Sequence, residues 1–291
     1  MKIGIPLFLL RHTQMAEVAA RAEQLGFESV WIPEHLVFPV RLETPYPYSE
    51  DGRAPFTTDA PILDPLLLLT HIAAATSRIR LGTNIFVLPL RHPLVTARLA
   101  MSLDVLSGGR LSLGIGVGWL EEEFRAVGVE FATRGSRTRE CVAALKALWT
   151  QAEPEFHGRF FDFGPLKFEP KPVQKPHPPI LFGGETPTAL RRAAALGDGW
   201  YGVAHDPVSA GRRVAELRAL RAETGRAGEP FEVTVGHAKG PIDADVLRRY
   251  ADAGVDRVAV VPWSRGREAI EKLERLAEAV DRSALSSRSP S

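Results

Sequence analysis

The chain has 291 residues, which is long enough for a well-covered core and typical of a single α/β barrel domain. Its formal net charge of +1 gives no global electrostatic reason to expect binding to nucleic acid or to a membrane surface. Because there is one cysteine, Cys141, no disulfide can form within the chain, and no Cys/His cluster has the spacing of a zinc site.

The sequence also carries no recognisable targeting or membrane segment. Residues Met1–Ile5 lack the apolar core of a signal peptide, and no apolar run approaches the ~20 residues of a membrane span. We therefore expect a cytoplasmic protein that binds no metal and contacts neither nucleic acid nor membrane. We further expect one domain over residues 1–282 and a flexible, Ser-rich tail over residues 283–291.

Segments typical of strands and helices alternate along the whole chain. In the first half, the predicted elements are strand Ile3–Phe8, helix Thr13–Leu25, strand Ser29–Ile32, helix Pro65–Thr76, strand Ile79–Ile85, helix Pro93–Leu106, strand Arg110–Gly116 and helices Glu121–Val127 and Arg137–Trp149. In the second half, they are strand Ile180–Phe182, helix Pro187–Leu196, strand Asp198–Val203, helix Pro207–Thr224, strand Phe231–Val235, helix Asp243–Ala253, strand Asp256–Val261 and helix Gly266–Val280. Several strands are continuous apolar runs, which are typical of a parallel sheet covered on both faces.

Two longer insertions interrupt this alternation. Leu36–Leu63 is rich in Pro, Tyr and Asp, and loops of this length in compact domains are usually functional. Asp64, directly after this loop, is predicted to cap the helix Pro65–Thr76, which has Pro at its first position. Glu155–Lys171 is predicted to form a hairpin, and Pro170–Pro179 an extended segment. Eight strand–helix units predict an α/β fold, a (β/α)8 TIM barrel with insertions after strands 2 and 4. No Gly-x-Gly-x-x-Gly follows the first strand, which argues against a Rossmann domain.

In such a barrel, chemistry takes place on the loops at the carboxyl ends of the strands. Glu34 and His35 come together after the second strand, where a histidine beside a carboxylate can exchange protons near neutral pH. The pair is also compatible with an ordinary surface loop. Asn84, near the end of the third strand, is a polar residue that needs buried partners or serves as a strand-end cap.

Glycine-rich turns follow the fourth and fifth strands. The alternating glycines of Gly114–Trp119 either let the backbone approach a ligand closely or relieve crowding inside the barrel. In Gly183–Pro187, two glycines precede a Thr at the cap position and a Pro at the first helical position. Free N–H groups and the helix dipole favour a phosphate there, with a simple capped turn as the alternative.

Taken together, these stretches resemble the luciferase-like (bacterial luciferase-like) superfamily of flavin-dependent enzymes, and most closely its coenzyme F420-dependent branch. The resemblance covers nearly the whole chain and is carried by the order and spacing of residues 26–35, 77–85, 104–110, 114–119, 183–186 and 197–200. It implies that His35 exchanges a proton beside the cofactor ring, with Glu34 as the acidic member of that motif. It also implies a non-proline cis peptide at Asn84–Ile85. The implied cofactor-binding residues are Asn84, Ile85, Gly116, Val117, Gly118, Trp119, Gly183, Gly184, Glu185 and Thr186.

Two departures from the family pattern bear on the substrate. Glu34, preceded by Pro33, stands where many relatives have Asp, and Trp119 stands where sugar-phosphate dehydrogenases of the F420 branch have Glu. We therefore expect a more apolar substrate than a sugar phosphate. The expected reaction is hydride transfer between F420 and a small organic molecule. The loop 36–63 would cover that molecule with Tyr46, Tyr48 and Phe56.

The sequence leaves other possibilities open. FMN would use the same phosphate site, and reduced FMN with oxygen would make the protein a monooxygenase. A cofactor-free barrel acting as a lyase or isomerase on a phosphorylated metabolite is a further alternative, and a non-catalytic flavin-binding protein is another, against which His35 argues. Arg91 and Arg53 are candidate partners for the anionic tail of F420. A homodimer is common in the family, although the sequence shows no interface signal.

Overall fold

A closed barrel of parallel strands organises the chain. The computed structural model describes residues 1–238 and 240–280. The strands are β1 (Lys2–Pro6), β2 (Ser29–Ile32), β3 (Arg80–Thr83), β4 (Phe86–Val87), β5 (Leu111–Gly116), β6 (Phe156–His157), β7 (Asp162–Phe163), β8 (Ile180–Gly183), β9 (Gly199–His205), β10 (Glu232–His237) and β11 (Arg257–Ala259). The barrel order is β3-β2-β1-β11-β10-β9-β8-β5, and the pairing of β3 with β5 closes it. The predicted TIM barrel is confirmed.

Helices follow the barrel strands and cover the outside of the barrel. They are α1 (His12–Gln24), α2 (Pro65–Ala74), α3 (Pro93–Leu106), α4 (Glu121–Ala126), α5 (Arg134–Thr150), α6 (Pro187–Leu196), α7 (Pro207–Glu223), α8 (Ala244–Asp252) and α9 (Ala269–Ala279). Several begin at predicted caps, since Asp64 accepts hydrogen bonds from two N–H groups of α2 and Thr186 accepts one from α6. Because each helix returns the chain to the start of the next strand, helix N-termini lie at the same face as the carboxyl ends of the strands.

The predicted insertions are present. The long loop after β2 contains no regular element between residues 36 and 63, and β6 and β7 pair antiparallel as the predicted hairpin. The third strand is shorter than the predicted Ile79–Ile85, because regular pairing stops at Thr83 and resumes only in β4. The predicted tail, residues 283–291, lies outside the described residues.

Large side chains fill the middle of the barrel. Trp31, Leu181, Tyr201 and Ala259 form a buried cluster, against which Ile85 packs. Gly82 makes room for this cluster, since a Cβ there would lie 2.2 Å from the ring of Trp31. The cluster separates the amino-terminal end of the barrel from the mouth at the carboxyl ends of the strands.

A buried charged network closes the amino-terminal end of the barrel. The side chain of Arg257 is 1% exposed and contacts the carboxylates of Glu28 and Glu232. It also donates a hydrogen bond to Thr234 and lies 5.2 Å from the ring of Trp31. Against the effect of burial, Glu28 and Glu232 raise the pKa of Arg257 above its usual value, so the guanidinium stays charged. The network ties together β10, β11 and the segment that enters β2.

Candidate active site

His35 lies at the barrel mouth and is held there by a glutamate of α4, the helix that follows β5. Its Nδ1 lies 3.3 Å from Oε2 of Glu123, a residue of α4 that is 1% exposed. The other oxygen of Glu123 accepts hydrogen bonds from the N–H groups of Leu36 and Val37. Glu123 therefore fixes both the ring of His35 and the backbone that follows it, and leaves Nε2 of His35 available for a ligand. Glu123 was not among the residues that the sequence analysis selected.

Glu34 has different partners from His35. Val87 N–H donates to its Oε2 at 2.5 Å, and Nη2 of Arg91 lies 2.5 Å from its Oε1. The same Arg91 nitrogen lies 3.2 Å from Asp64, the cap of α2. Burial raises the pKa of Glu34 to about 7, although Arg91 and the Val87 N–H act in the opposite direction.

Glu34 and His35 thus have separate partners, and the expectation that His35 exchanges a proton beside the cofactor ring, with Glu34 as the acidic member of the motif, stays a prediction. The side chain of Glu34 is buried beside Val87 and Arg91, whereas that of His35 packs among Phe38, Phe56 and Trp119. Glu34 instead braces the segment after β3, through Val87 and Arg91.

The floor of the site is formed by Asn84 and Ile85. A cis peptide bond joins these two residues, as the family resemblance implied. Asn84 donates from Nδ2 to the hydroxyl of Tyr201 at 3.1 Å, while its buried Oδ1 has no partner among the described residues. Since a buried acceptor without a donor is costly, Asn84 Oδ1 is suited to receive an N–H from a bound molecule.

The predicted glycines make room for Ile85. A Cβ on Gly116 would lie 2.9 Å from Ile85 Cγ2, and one on Gly183 would lie 2.8 Å from Ile85 Cγ1. Gly118 has φ +83°, and a Cβ there would lie 2.6 Å from Phe124 and 2.7 Å from Val87. Any larger residue at these positions would push Ile85 or the β5 loop into the space above the floor.

Aromatic side chains from the long loop cover His35. The rings of Phe38 and Phe56 lie 4.7 and 5.4 Å from the His35 ring. Trp119, which follows the half-buried Val117 and Gly118, meets His35 edge-on at 5.7 Å and Tyr46 at 5.2 Å. These rings pack around the imidazole and make its surroundings apolar, and the expectation that Tyr46, Tyr48 and Phe56 cover a substrate stays a prediction.

The acidic start of α4 anchors this loop. Glu122 accepts hydrogen bonds from the N–H groups of Glu43 and Thr44 and from the Thr44 hydroxyl. Burial acts against ionisation, but these hydrogen bonds dominate and lower the pKa of Glu122 to about 2. Glu122 and Glu123 thus bind four backbone N–H groups of one loop edge.

Tyr48 brings the loop to the opposite side of the mouth. Burial raises its pKa to about 12, with further contributions from the nearby charge of Glu185 and from Tyr46. Glu185 itself receives the N–H of Val203 at 2.8 Å and lies 3.1 Å from Nε2 of His205.

The turn between β8 and α6 is the one that the sequence analysis proposed for a phosphate. Gly184 has φ +110°, a conformation that favours glycine, and its carbonyl accepts a hydrogen bond from Trp200 Nε1 at 3.0 Å. Thr186 caps α6 by accepting from Ala189 N–H at 3.2 Å. The side chain of Glu185 is engaged by His205 and by Arg213, whose Nε lies 3.5 Å away. Pro187 has no N–H group and that of Ala189 is bound by Thr186, so an anion at this turn would be attracted mainly by the positive end of the α6 dipole.

The described part of the chain contains no cluster of three or more His, Cys, Asp or Glu residues that could hold a metal ion. Within residues 1–238 and 240–280, no helix is long and apolar enough to span a membrane. The groups at the mouth are the histidine–glutamate pair, an amide oxygen without a partner among the described residues, the aromatic rings around the imidazole and the glycine turn before α6.

A TIM barrel that carries such groups at the carboxyl ends of its strands has the layout of an enzyme. The family model described as luciferase-like monooxygenase matches residues 10–239. The chain belongs to this family and is an oxidoreductase of the luciferase-like superfamily.

Relatives agree with this assignment. An uncharacterised protein of Mycobacterium tuberculosis is 36% identical over 272 residues, which cover 90% of this chain and 93% of the relative. An FMNH(2)-dependent dimethylsulfone monooxygenase of Pseudomonas putida is 33% identical over 159 residues, which cover 54% of this chain and 44% of the relative.

Solved structures share the fold. An F420-dependent secondary alcohol dehydrogenase in complex with an F420–acetone adduct has a TM-score of 0.77 at 19% identity and covers 98% of both chains. A monooxygenase from Streptomyces bottropensis has a TM-score of 0.73 at 24% identity, over 96% of this chain and 98% of that one. Structures of this fold thus include proteins described as F420-dependent and as monooxygenases.

Proposed function

We propose that this chain is an F420-dependent oxidoreductase that transfers a hydride between coenzyme F420 and a small, apolar organic substrate. The observation that carries the proposal is the His35–Glu123 pair enclosed by Phe38, Phe56 and Trp119. When a hydride moves to or from a carbon atom, a proton must usually be supplied or removed nearby, and a positioned histidine does this near neutral pH.

The residues present fit a deazaflavin. Asn84 Oδ1 lacks a donor within the part of the chain that the structure describes, and the deazaflavin ring carries an N–H that can supply one. Ile85 would support the ring from below, because Gly116 and Gly183 leave its side chain in place. The turn at Gly184 and Thr186 would receive the phosphate.

Each part of the site has a definite task in this reaction. F420, when bound, supplies the hydride donor or acceptor at C5 of its ring. Glu123 holds Nδ1 of His35, so that Nε2 gives a proton to the substrate or takes one from it. Trp119 and the aromatic residues of the loop exclude water from the imidazole and select an uncharged, apolar substrate.

A luciferase-like monooxygenase that uses reduced FMN is the second candidate. It is favoured by the relative described as FMNH(2)-dependent, which is more similar in sequence than either structural neighbour. FMN also carries a ring N–H and a phosphate, so the contacts of Asn84 and Gly184 suit both cofactors. A cofactor-free lyase or isomerase is disfavoured by the family assignment.

Titration of the purified protein with F420 and with FMN, followed by fluorescence quenching, tests the proposal. We expect F420 to bind more tightly than FMN and Gly184→Asp to abolish binding, because the new carboxylate repels phosphate and φ +110° disfavours a side chain. Gly164→Asp is the matched control, since a Cβ there meets open space. His35→Ala should bind F420 but lose turnover. Tight FMN binding without F420 binding would replace the proposal with the monooxygenase.

A further inference from the structure

Three arginines meet where α5 and α6 pack near the barrel mouth. Arg134 and Arg139 lie in the first two turns of α5, and Arg192 lies in the second turn of α6. The guanidinium of Arg192 lies against Gly135, where a Cβ would come within 3.1 Å of its Nη2. Burial, followed by the charges of Arg139 and Arg134, lowers the pKa of Arg192. The three positive charges therefore share one small region, which we call the arginine cluster.

No carboxylate neutralises the arginine cluster. Among the described residues, none of its members lies within 4.0 Å of an acidic oxygen, in contrast to Arg213 and Arg257. Arg134 donates to the carbonyl of Phe131 and stacks at 3.8 Å on the Phe131 ring, but its buried Nε has no partner. Like charges gathered without counter-charges destabilise a fold unless an anion binds them.

The location of the arginine cluster increases its attraction for anions. The first turn of α5 contains no acidic residue, so the positive end of its helix dipole adds to the guanidinium charges. Arg192 follows Thr186 by six residues, or about 9 Å along the helix axis, and helical side chains lean towards the N-terminus. The arginine cluster thus includes a residue in the second turn of the helix that begins at the turn proposed to hold the cofactor phosphate.

Arg91 and Arg53, the candidate partners for the anionic tail of F420 that the sequence suggested, do not belong to the arginine cluster. Arg91 is bound to Glu34 and Asp64, so its charge is already balanced. The side chain of Arg53 is 88% exposed and lies 4.0 Å from Asp51. Neither offers an uncompensated charge next to the phosphate turn.

We propose that the arginine cluster binds the carboxylates of the oligoglutamate tail of F420. This inference rests on the proposed function, because FMN ends at its phosphate and has no such tail. A chain of carboxylates leaving the phosphate at Gly184 and Thr186 would run along the α5–α6 seam. There, Arg134, Arg139 and Arg192 would each pair with an anionic group.

The test compares two ligands and two double variants. The ligands are F420 with its glutamate tail and a tail-free deazaflavin chromophore that keeps the phosphate but carries no glutamate. The variants are Arg139→Gln/Arg192→Gln, which spares the Phe131 contacts of Arg134, and Arg78→Gln/Arg218→Gln, which removes two exposed, unpaired arginines elsewhere. Affinities are measured by fluorescence quenching at low and at raised ionic strength.

We expect the first variant to bind F420 about tenfold more weakly than the wild type, because two modest ion pairs are lost near a third charge. Its affinity for the tail-free chromophore should equal that of the wild type, and raised salt should shrink the difference. The control variant should match the wild type for both ligands.

Equal binding of F420 by the wild type and the first variant would overturn the inference while leaving F420 dependence intact. Equal weakening for F420 and the tail-free chromophore would also overturn it, since the arginines would then act on the fold or the ring. Failure of the wild type to bind F420 at all would overturn both proposals.

Discussion

Neighbouring residues in the chain take up separate tasks at this site. Glu34 and His35 are adjacent, yet Glu34 contacts Val87 and Arg91 while His35 contacts Glu123. The identity of His35 and of Asn84 as residues of the mouth could be predicted from their positions at strand ends. The partnership with Glu123 could not, because acidic residues in the first turn of a helix are favourable to the helix dipole in any protein.

Replacing Glu123 with Gln tests whether it positions His35. The amide would offer an N–H to Nδ1 of His35 and so disturb the ring orientation and tautomer that the carboxylate sets. We expect turnover with any accepted substrate to fall about 10- to 100-fold, with F420 affinity nearly unchanged. Single-turnover rates and quenching titrations measure the two effects separately.

Glu121→Gln is the matched control in the same helical turn. Glu121 is exposed and pairs only with Arg125 at 3.7 Å, so this variant should keep wild-type turnover. A Glu123→Gln enzyme as active as the control would remove Glu123 from the proposed mechanism.

At the scale of elements, the loop 36–63 shows how an irregular segment is held in place. It is fastened along one edge by the acidic turn of α4, through Glu122 and Glu123. The length and composition of the loop predicted a covering role, but its anchor depends on a contact between residues about 80 positions apart. A single sequence gives no indication of such a pairing, whereas caps such as Asp64 and Thr186 depend on neighbours only and were predicted.

The attachment of the loop 36–63 to α4 should depend on the charge of Glu122. Its pKa in the folded protein, about 2, lies below the ordinary value, so its contribution is complete above about pH 4.5 and is lost as the pH falls towards 2. Glu122→Gln should therefore expose the loop at pH 7, where the wild type remains protected. Hydrogen exchange of the N–H groups of Glu43 and Thr44 measures this.

Glu130→Gln provides the comparison, since Glu130 is exposed just after α4 and only its backbone carbonyl takes part in hydrogen bonds among the described residues. Protection factors in Glu122→Gln equal to those of Glu130→Gln at pH 7 would show that α4 does not anchor the loop.

The third strand shows that hydrophobicity does not predict where a strand ends. The apolar run Ile79–Ile85 predicts one strand, whereas the structure ends β3 at Thr83 and starts β4 at Phe86. Hydrophobicity alone does not report where a backbone leaves the sheet to form the floor of a site. The residues that depart from the predicted strand are those that the family resemblance had assigned to the cofactor.

For the whole molecule, alternation of strands and helices was sufficient to predict the barrel, because each parallel strand must be covered on both faces. The charged network that closes the amino-terminal end of the barrel was not predicted from the sequence. Arg257, Glu28 and Glu232 come from three separate parts of the chain, and their pairing appears only in the folded barrel.

Arg257→Met should weaken the fold rather than the chemistry. Removing one partner of a buried ion network leaves Glu28 and Glu232 without a counter-charge, and we expect a loss of about 3–5 kcal/mol in the free energy of unfolding. Urea denaturation measures this loss. Arg275→Met, at a side chain that is 65% exposed, should change stability by less than about 0.5 kcal/mol. Comparable stabilities for the two variants would contradict a structural role for Arg257.

The buried cluster around Trp31 and the charged network of Arg257 determine by which route small molecules can reach the site. Because these side chains fill the interior of the barrel, its amino-terminal end is closed to small molecules. In the proposed reaction, the substrate would enter and the product would leave at the mouth, beneath the aromatic residues of the loop. In the proposed reaction, each cycle would therefore include an opening and a closing of that loop. If hydride transfer is faster than this loop opening, product release is the rate-limiting step of turnover.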